Sequence, residues 1–240
     1  MAERQPGTTI LVPFDASDPG DPSSGLIELL TPHRIVVLGY YPVPDQASTK
    51  QVRDQYGETA NEATDEMAAR FAREGGDVES VVGEHHDRSQ TIDRIAAEND
   101  VDAVLTAGLI GDQLDRILVP LRGDSNLERI VSFLERLLGE STATATLFNV
   151  PEDDEEDSRG EFLLRGVRDR LIENGIEPDR IGWQQEQSSS ASDAIIKTAE
   201  AYDLIVVGES EPSLRERLLG DVTNRVITGS SDPVLVVRKE

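Results

Sequence analysis

Several residue types are absent or scarce in this chain of 240 residues. It contains no cysteine, which excludes disulfide bonds, thiolate catalysis and cysteine-ligated zinc. No apolar run approaches the ~20 residues that span a membrane, and the N-terminal MAERQPGTT lacks the apolar core of a signal peptide. We therefore expect a cytoplasmic protein that does not enter a membrane.

Lysine is the scarcest charged residue. The chain has three lysines against twenty arginines, and its 47 acidic residues give a formal net charge of −24. No basic stripe is present to neutralise phosphates, which argues against binding to nucleic acid or to an anionic membrane surface. An acidic, lysine-poor globular chain is typical of a salt-rich cytoplasm, where ions screen the self-repulsion of the folded state.

The sequence contains an internal repeat. Residues 10–17 read ILVPFDAS and residues 117–124 read ILVPLRGD. A second pair of similar segments is DVDAVLTAG at 100–108 and YDLIVVGES at 202–210. Strand patterns alternate with helical patterns after each opening, which predicts an α/β fold with parallel strands. We interpret the chain as two Rossmann-like units in tandem, residues 1–114 and 115–240.

The two predicted units are unequal in length. Only residues 112–115 separate Gly111 from the next opening strand, so the first unit lacks a final helix and a fifth strand. The second unit has room for both, and its last strand is predicted over 233–238. The acidic stretch at 151–161 is predicted to be a solvated loop between a strand and the helix that follows it.

The segment at 202–238, together with the opening ILVPFDAS, resembles the universal stress protein (UspA) family. The resemblance implies a tandem member from a haloarchaeon-like organism. It also implies a five-stranded parallel sheet related to the adenine nucleotide alpha hydrolases. Some members of that family bind ATP, through an aspartate after the first strand and a loop G-x2-G-x9-G-[ST] after the fourth. Glycines let backbone N–H groups approach phosphates there, and a helix N-terminus follows.

Parallel α/β sheets bind ligands beyond the carboxyl ends of their strands. We therefore expect Asp15, Gly108, Arg122 and Gly208 on one ligand side. In the first copy, Asp15 matches the family aspartate, and Gly108 and Gly111 match the start of the loop. The alternative interpretation of Asp15 is a turn or a helix cap.

The second copy departs from the family pattern. Gly208 matches the first glycine and Gly220 approximates the third, but Arg122 replaces the aspartate. Three carboxylates, those of Glu209, Glu211 and Asp221, are expected near the phosphate positions, where like charges repel. We expect no strongly bound ATP and no resident cofactor, with ATP or AMP plus Mg²⁺ as the alternative.

The function expected from these observations is a non-catalytic regulatory or stress-response role. No catalytic residues and no metal ligands are assigned. Two alternatives stay open, an adenine-nucleotide sensor and an enzyme related to nucleotide hydrolases. In the family the last strand commonly pairs across a dimer, so we expect a homodimer through Val234, Leu235, Val236 and Val237. A protein partner such as a transporter is a further option, because UspA-like domains also occur fused to transporters.

Overall fold

The structure is a computed structural model that describes residues 7–42, 49–85, 87–107, 114–123, 126–151, 154–209, 221–229 and 232–239. Nine strands lie within these ranges: β1 (Thr9–Asp15), β2 (Arg34–Pro42), β3 (Asp77–His85), β4 (Ala103–Ala107), β5 (Arg116–Pro120), β6 (Thr144–Asn149), β7 (Ile181–Gln185), β8 (Leu204–Gly208) and β9 (Val234–Val237). Seven helices accompany them: α1 (Ser24–Leu30), α2 (Thr49–Arg73), α3 (Arg88–Glu98), α4 (Leu127–Gly139), α5 (Asp154–Glu173), α6 (Ala191–Ala199) and α7 (Asp221–Gly229). None of the helices in these ranges has both the length and the apolar character that crossing a membrane requires.

All nine strands belong to one sheet, in the order β3-β2-β1-β4-β9-β8-β5-β6-β7. The order β3-β2-β1-β4 at one end matches β7-β6-β5-β8 at the other, and β9 extends the second group by a fifth strand. Neighbouring strands run parallel within each group, as right-handed crossover connections require. The predicted Rossmann-like α/β fold is confirmed, whereas the boundary between residues 114 and 115 stays a prediction.

The two groups of strands meet in an antiparallel pair. Val104 lies opposite Val236 and Leu105 opposite Leu235 in the β4–β9 ladder. On its other side β9 pairs in parallel with β8. The prediction that Val234–Val237 pairs with a second chain is therefore wrong, because both edges of this strand are hydrogen-bonded within the chain. A homodimer through another surface stays a prediction.

Apolar side chains alternate between the two faces of the sheet. One face is covered by α1, α2, α4 and α5, and its core runs without a break from β1 and β2 to β5 and β6. On the opposite face, α3 packs on β1, β2 and β4, while α6 and α7 pack on β5, β8 and β9. The largest apolar core is thus shared by both groups of strands.

Helix α5 begins eight residues before the predicted position. The stretch at 151–161, predicted to be a loop, already enters this helix at Asp154, and the first four helical residues read DEED. Carboxylates near a helix N-terminus are stabilised by the helix dipole, so an acidic run suits a first turn as well as it suits a loop.

Candidate functional site

The strands of the first group and those of the second group run in opposite directions, so their carboxyl ends lie at opposite ends of the sheet. We call the end that holds the carboxyl end of β1 the first edge, and the end that holds the carboxyl end of β8 the second edge. Because β4 and β9 are antiparallel, Asp15 at the end of β1 lies at one edge, and Gly208 at the end of β8 lies at the other. Arg122, which follows β5, is on the Gly208 side. The expectation of one shared ligand side is therefore wrong. Gly108, Gly111 and Gly220 lie outside the described residues, and Asp221 is the first residue of α7.

At the first edge, the carboxylate of Asp15 closes a local turn. Its Oδ1 accepts a 2.9 Å hydrogen bond from the N–H of Ser17 and a 2.6 Å bond from the Ser17 hydroxyl. The guanidinium of Arg88, at the start of α3, lies 4.9 Å from the centre of the Tyr40 ring. Burial raises the pKa of Tyr40, the charge of Arg88 lowers it and that of Asp15 raises it. The turn interpretation of Asp15 agrees with these contacts.

At the second edge, Gly208 has a packing role. A Cβ atom on this residue would lie 2.7 Å from Cδ1 of Ile130, which is in the first turn of α4. Real side chains do not approach that closely, so glycine allows α4 to pack against the end of β8. Asn126 fixes the same end of the helix, because its Nδ2 donates a 3.0 Å hydrogen bond to the carbonyl of Val237.

Glu209 follows Gly208 directly, and only 1% of its surface is exposed. Its Oε2 accepts a 2.8 Å hydrogen bond from the backbone N–H of Lys239, and its own N–H donates to the carbonyl of Val237. Among the described residues, its Oε1 has no hydrogen-bond partner. A buried carboxylate thus lies just beyond the end of β8.

The pKa of Glu209 reflects this environment. Burial raises it, while the Lys239 N–H and the charge of Arg238 lower it, and the charge of Asp93 on α3 raises it further. Sequence reasoning identified Glu209 as a carboxylate at the loop but not its neighbours Arg238 and Asp93. Asp93 lies on α3, which packs on the first group of strands, and no local pattern signals its electrostatic effect on Glu209.

The described residues contain no group of histidine, cysteine and acidic side chains that could hold a metal ion. At the second edge, the described residues Gly208, Glu209 and Asn126 provide one buried carboxylate and a close approach of α4 to the end of β8.

Comparisons with known proteins agree with this architecture. The fold is similar to that of a universal stress protein from Archaeoglobus fulgidus DSM 4304, with a TM-score of 0.69 and 18% identity over 96% of each chain. It is also similar to a putative universal stress protein from Pseudomonas aeruginosa UCBPP-PA14, with a TM-score of 0.53 and 16% identity over 97% of this chain and 93% of that one. No curated protein matches the sequence. The model of the Universal stress protein family matches residues 113–238, which is just over half of the chain. The chain therefore belongs to the universal stress protein family.

Proposed function

We propose that this chain is a regulatory, stress-response protein that works without catalytic turnover and without a tightly bound adenine nucleotide. The observation that carries the proposal is the buried carboxylate of Glu209 at the end of β8. The family membership supports the stress-response role, and the geometry of this edge supports the absence of bound ATP.

A phosphate group near Glu209 would meet a like charge. A phosphate oxygen 4 Å from the Glu209 carboxylate would be repelled by about 4 kcal/mol per unit charge at an effective dielectric constant of 20. The backbone N–H of Lys239 at this position already donates to Glu209. A nucleotide would therefore have to displace an existing hydrogen bond and overcome a like charge.

The arrangement of the edges supports the same conclusion. In the family pattern, the aspartate after the first strand and the glycine loop after the fourth serve one nucleotide. Here Arg122 and Gly208 share the second edge, and this arginine stands where the family pattern has aspartate. The second edge thus lacks the aspartate, and the partners of Asp15 at the first edge, Gly108 and Gly111, lie outside the described residues.

Thermal unfolding in molar KCl with ATP or AMP and Mg²⁺ tests the proposal. A ligand present at 100 times its Kd stabilises the folded state by about 2.7 kcal/mol, which raises Tm by several degrees. We expect no such rise in the wild type. A rise that is lost in Asp15→Ala would assign a nucleotide sensor to the first edge. A rise that grows in Glu209→Gln would assign it to the second edge.

The enzyme alternative has its own test. Phosphate release from ATP should not exceed the rate in buffer, and Asp15→Ala should leave it unchanged. Turnover that Asp15→Ala abolishes would contradict the proposal and would support the hydrolase alternative.

A further inference from the structure

A cleft of about 790 Å³ lies between α4 and α5, beyond the carboxyl ends of β5 and β6. Its volume falls within the range of about 300–1,000 Å³ that is usual for small-molecule sites. Arg122 and Gly123 after β5 line one end, and Asn149, Val150 and Pro151 at the end of β6 line the floor. Neither Gly208 nor Glu209 lines this cleft.

The walls of the cleft are apolar. Val131 of α4 and Val167 of α5 are buried beneath it, and Leu127 and Leu163 are half-buried along its sides. Phe162 also lines it, with 82% of its surface exposed. An exposed phenylalanine is unexpected in a chain with only 4% aromatic residues. Its ring is available to cover the apolar part of a ligand.

The rim of the cleft is cationic, although the chain carries a net charge of −24. Arg122, Arg159 and Arg170 line it, and Glu156 is the acidic residue of the lining. Arg170 is bound to Glu128 at 2.6 Å, across α4 and α5. Arg159 is exposed and has no ion-pair partner in the part of the chain that the structure describes. A guanidinium next to apolar walls favours a ligand that is both anionic and apolar.

Two glycines of α5 line the cleft for different reasons. A Cβ on Gly160 would lie 2.0 Å from Oδ1 of Asn149, so this glycine allows α5 to approach β6. A Cβ on Gly166 would meet nothing within 4 Å. Glycine in a helix interior lowers stability relative to alanine, and packing gives no reason for it at position 166. Its effect is to keep the wall of the cleft open.

We propose that this cleft binds an organic anion with an apolar body, of the class of medium-chain carboxylates and aryl sulfonates. Arg159 and Arg122 contact the acid group, and Phe162, Leu127 and Leu163 contact the apolar body. The cleft lies at the second edge and includes Arg122, at the position of the family aspartate, but not Gly208 or Glu209. The inference goes beyond the proposed function because it assigns a ligand that is not a nucleotide.

The test uses the full chain in molar KCl and the probe 1-anilinonaphthalene-8-sulfonate, whose fluorescence rises in apolar sites. We expect saturable binding of one probe per chain. Gly166→Leu fills the cleft without removing a charge and replaces a weak helix former, so the variant should fold and should bind the probe roughly tenfold or more weakly. Gly139→Leu, which adds the same side chain at the open end of α4, is the matched control and should bind as the wild type does.

Charge is tested separately. Arg159→Glu should weaken probe binding by roughly tenfold, whereas Arg73→Glu, an exposed reversal on α2, should not change it. Decanoate should displace the probe and decanol should not. Equal affinity in the wild type and Gly166→Leu would overturn the proposal, as would displacement by decanol as effective as that by decanoate.

ATP with Mg²⁺ separates this inference from the proposed function. Nucleotide binding that survives in Gly166→Leu would contradict the proposed function and leave the cleft proposal in place. Nucleotide binding that Gly166→Leu abolishes would overturn the ligand class proposed for the cleft.

Discussion

At the scale of single residues, the carboxyl group of Glu209 lies in an environment that disfavours its charged form. Its side chain is buried at the end of β8, and burial raises its pKa above the ordinary value of 4.5. Ionisation is therefore less favourable in the folded chain than in the unfolded chain. As pH rises from about 4.5 through the raised pKa, the unfolded chain loses its proton first, and the folded state loses stability.

Glu209→Gln should remove this loss. The amide oxygen can still accept the hydrogen bond from Lys239, so the contact is retained without the charge. We predict that the unfolding free energy of the variant relative to the wild type rises with pH across that window, as measured by urea unfolding in constant salt. A relative stability that falls with rising pH would contradict the assignment.

His33 provides the opposite pH dependence. Burial, followed by the charge of Arg136, lowers its pKa from 6.5 to about 4. The unfolded chain therefore takes up a proton first as pH falls, and up to about 3 kcal/mol of stability is lost between the two pKa values. In His33→Gln this part of the slope between about pH 6.5 and pH 4 should vanish. Equal slopes in urea unfolding of both proteins would show that His33 does not titrate in this way.

At the scale of secondary-structure elements, the contact between α4 and β8 depends on Gly208. Gly208→Ala should cost about 0.5–1.5 kcal/mol, because the new Cβ would lie 2.7 Å from Cδ1 of Ile130 and would push this side chain away from its rotamer. Ile130→Val removes that atom and alone costs about 0.5–1.5 kcal/mol. We predict that the double variant is more stable than the sum of the two losses implies, as measured by denaturant unfolding.

The double-mutant cycle distinguishes packing from other roles of this glycine. A favourable coupling of at least about 0.5 kcal/mol is expected for residues in contact. Additive losses would mean that Gly208 is required for a reason other than the approach of α4.

Local patterns predicted most elements but not how the two groups of strands meet. The alternation around ILVPFDAS and ILVPLRGD located β1 and β5. The antiparallel β4–β9 pair joins residues about 130 positions apart, and such pairing depends on the packing of whole elements rather than on a local period. For the same reason, the sequence patterns did not predict that the carboxyl ends of the two groups of strands lie at opposite edges of the sheet. The cleft could have been suspected from Gly166, because a glycine inside a helical pattern often has a packing or functional reason.

At the scale of the whole molecule, the charge of −24 sets the response to salt. Like charges spread over one compact chain destabilise it, and ions screen this repulsion over about 10 Å at 0.1 M salt and about 3 Å at 1 M. We predict that the unfolding free energy rises as KCl increases to molar concentration.

A matched variant tests whether surface carboxylates cause the effect. Glu58 and Glu62 are exposed and one turn apart on α2, where like charges destabilise the helix. Neutralising both with glutamine should raise stability at low salt and reduce the slope against KCl. An unchanged slope would show that these two carboxylates do not cause the salt dependence.

For the whole molecule we propose that no adenine nucleotide is tightly bound, because Glu209 and Arg122 stand at the second edge in place of residues of the family pattern. Calorimetric titration of the full chain with ATP and Mg²⁺ in molar KCl tests this claim most directly. We predict no saturable heat of binding. A saturable titration with a micromolar Kd, near −8.2 kcal/mol of binding free energy, would contradict it.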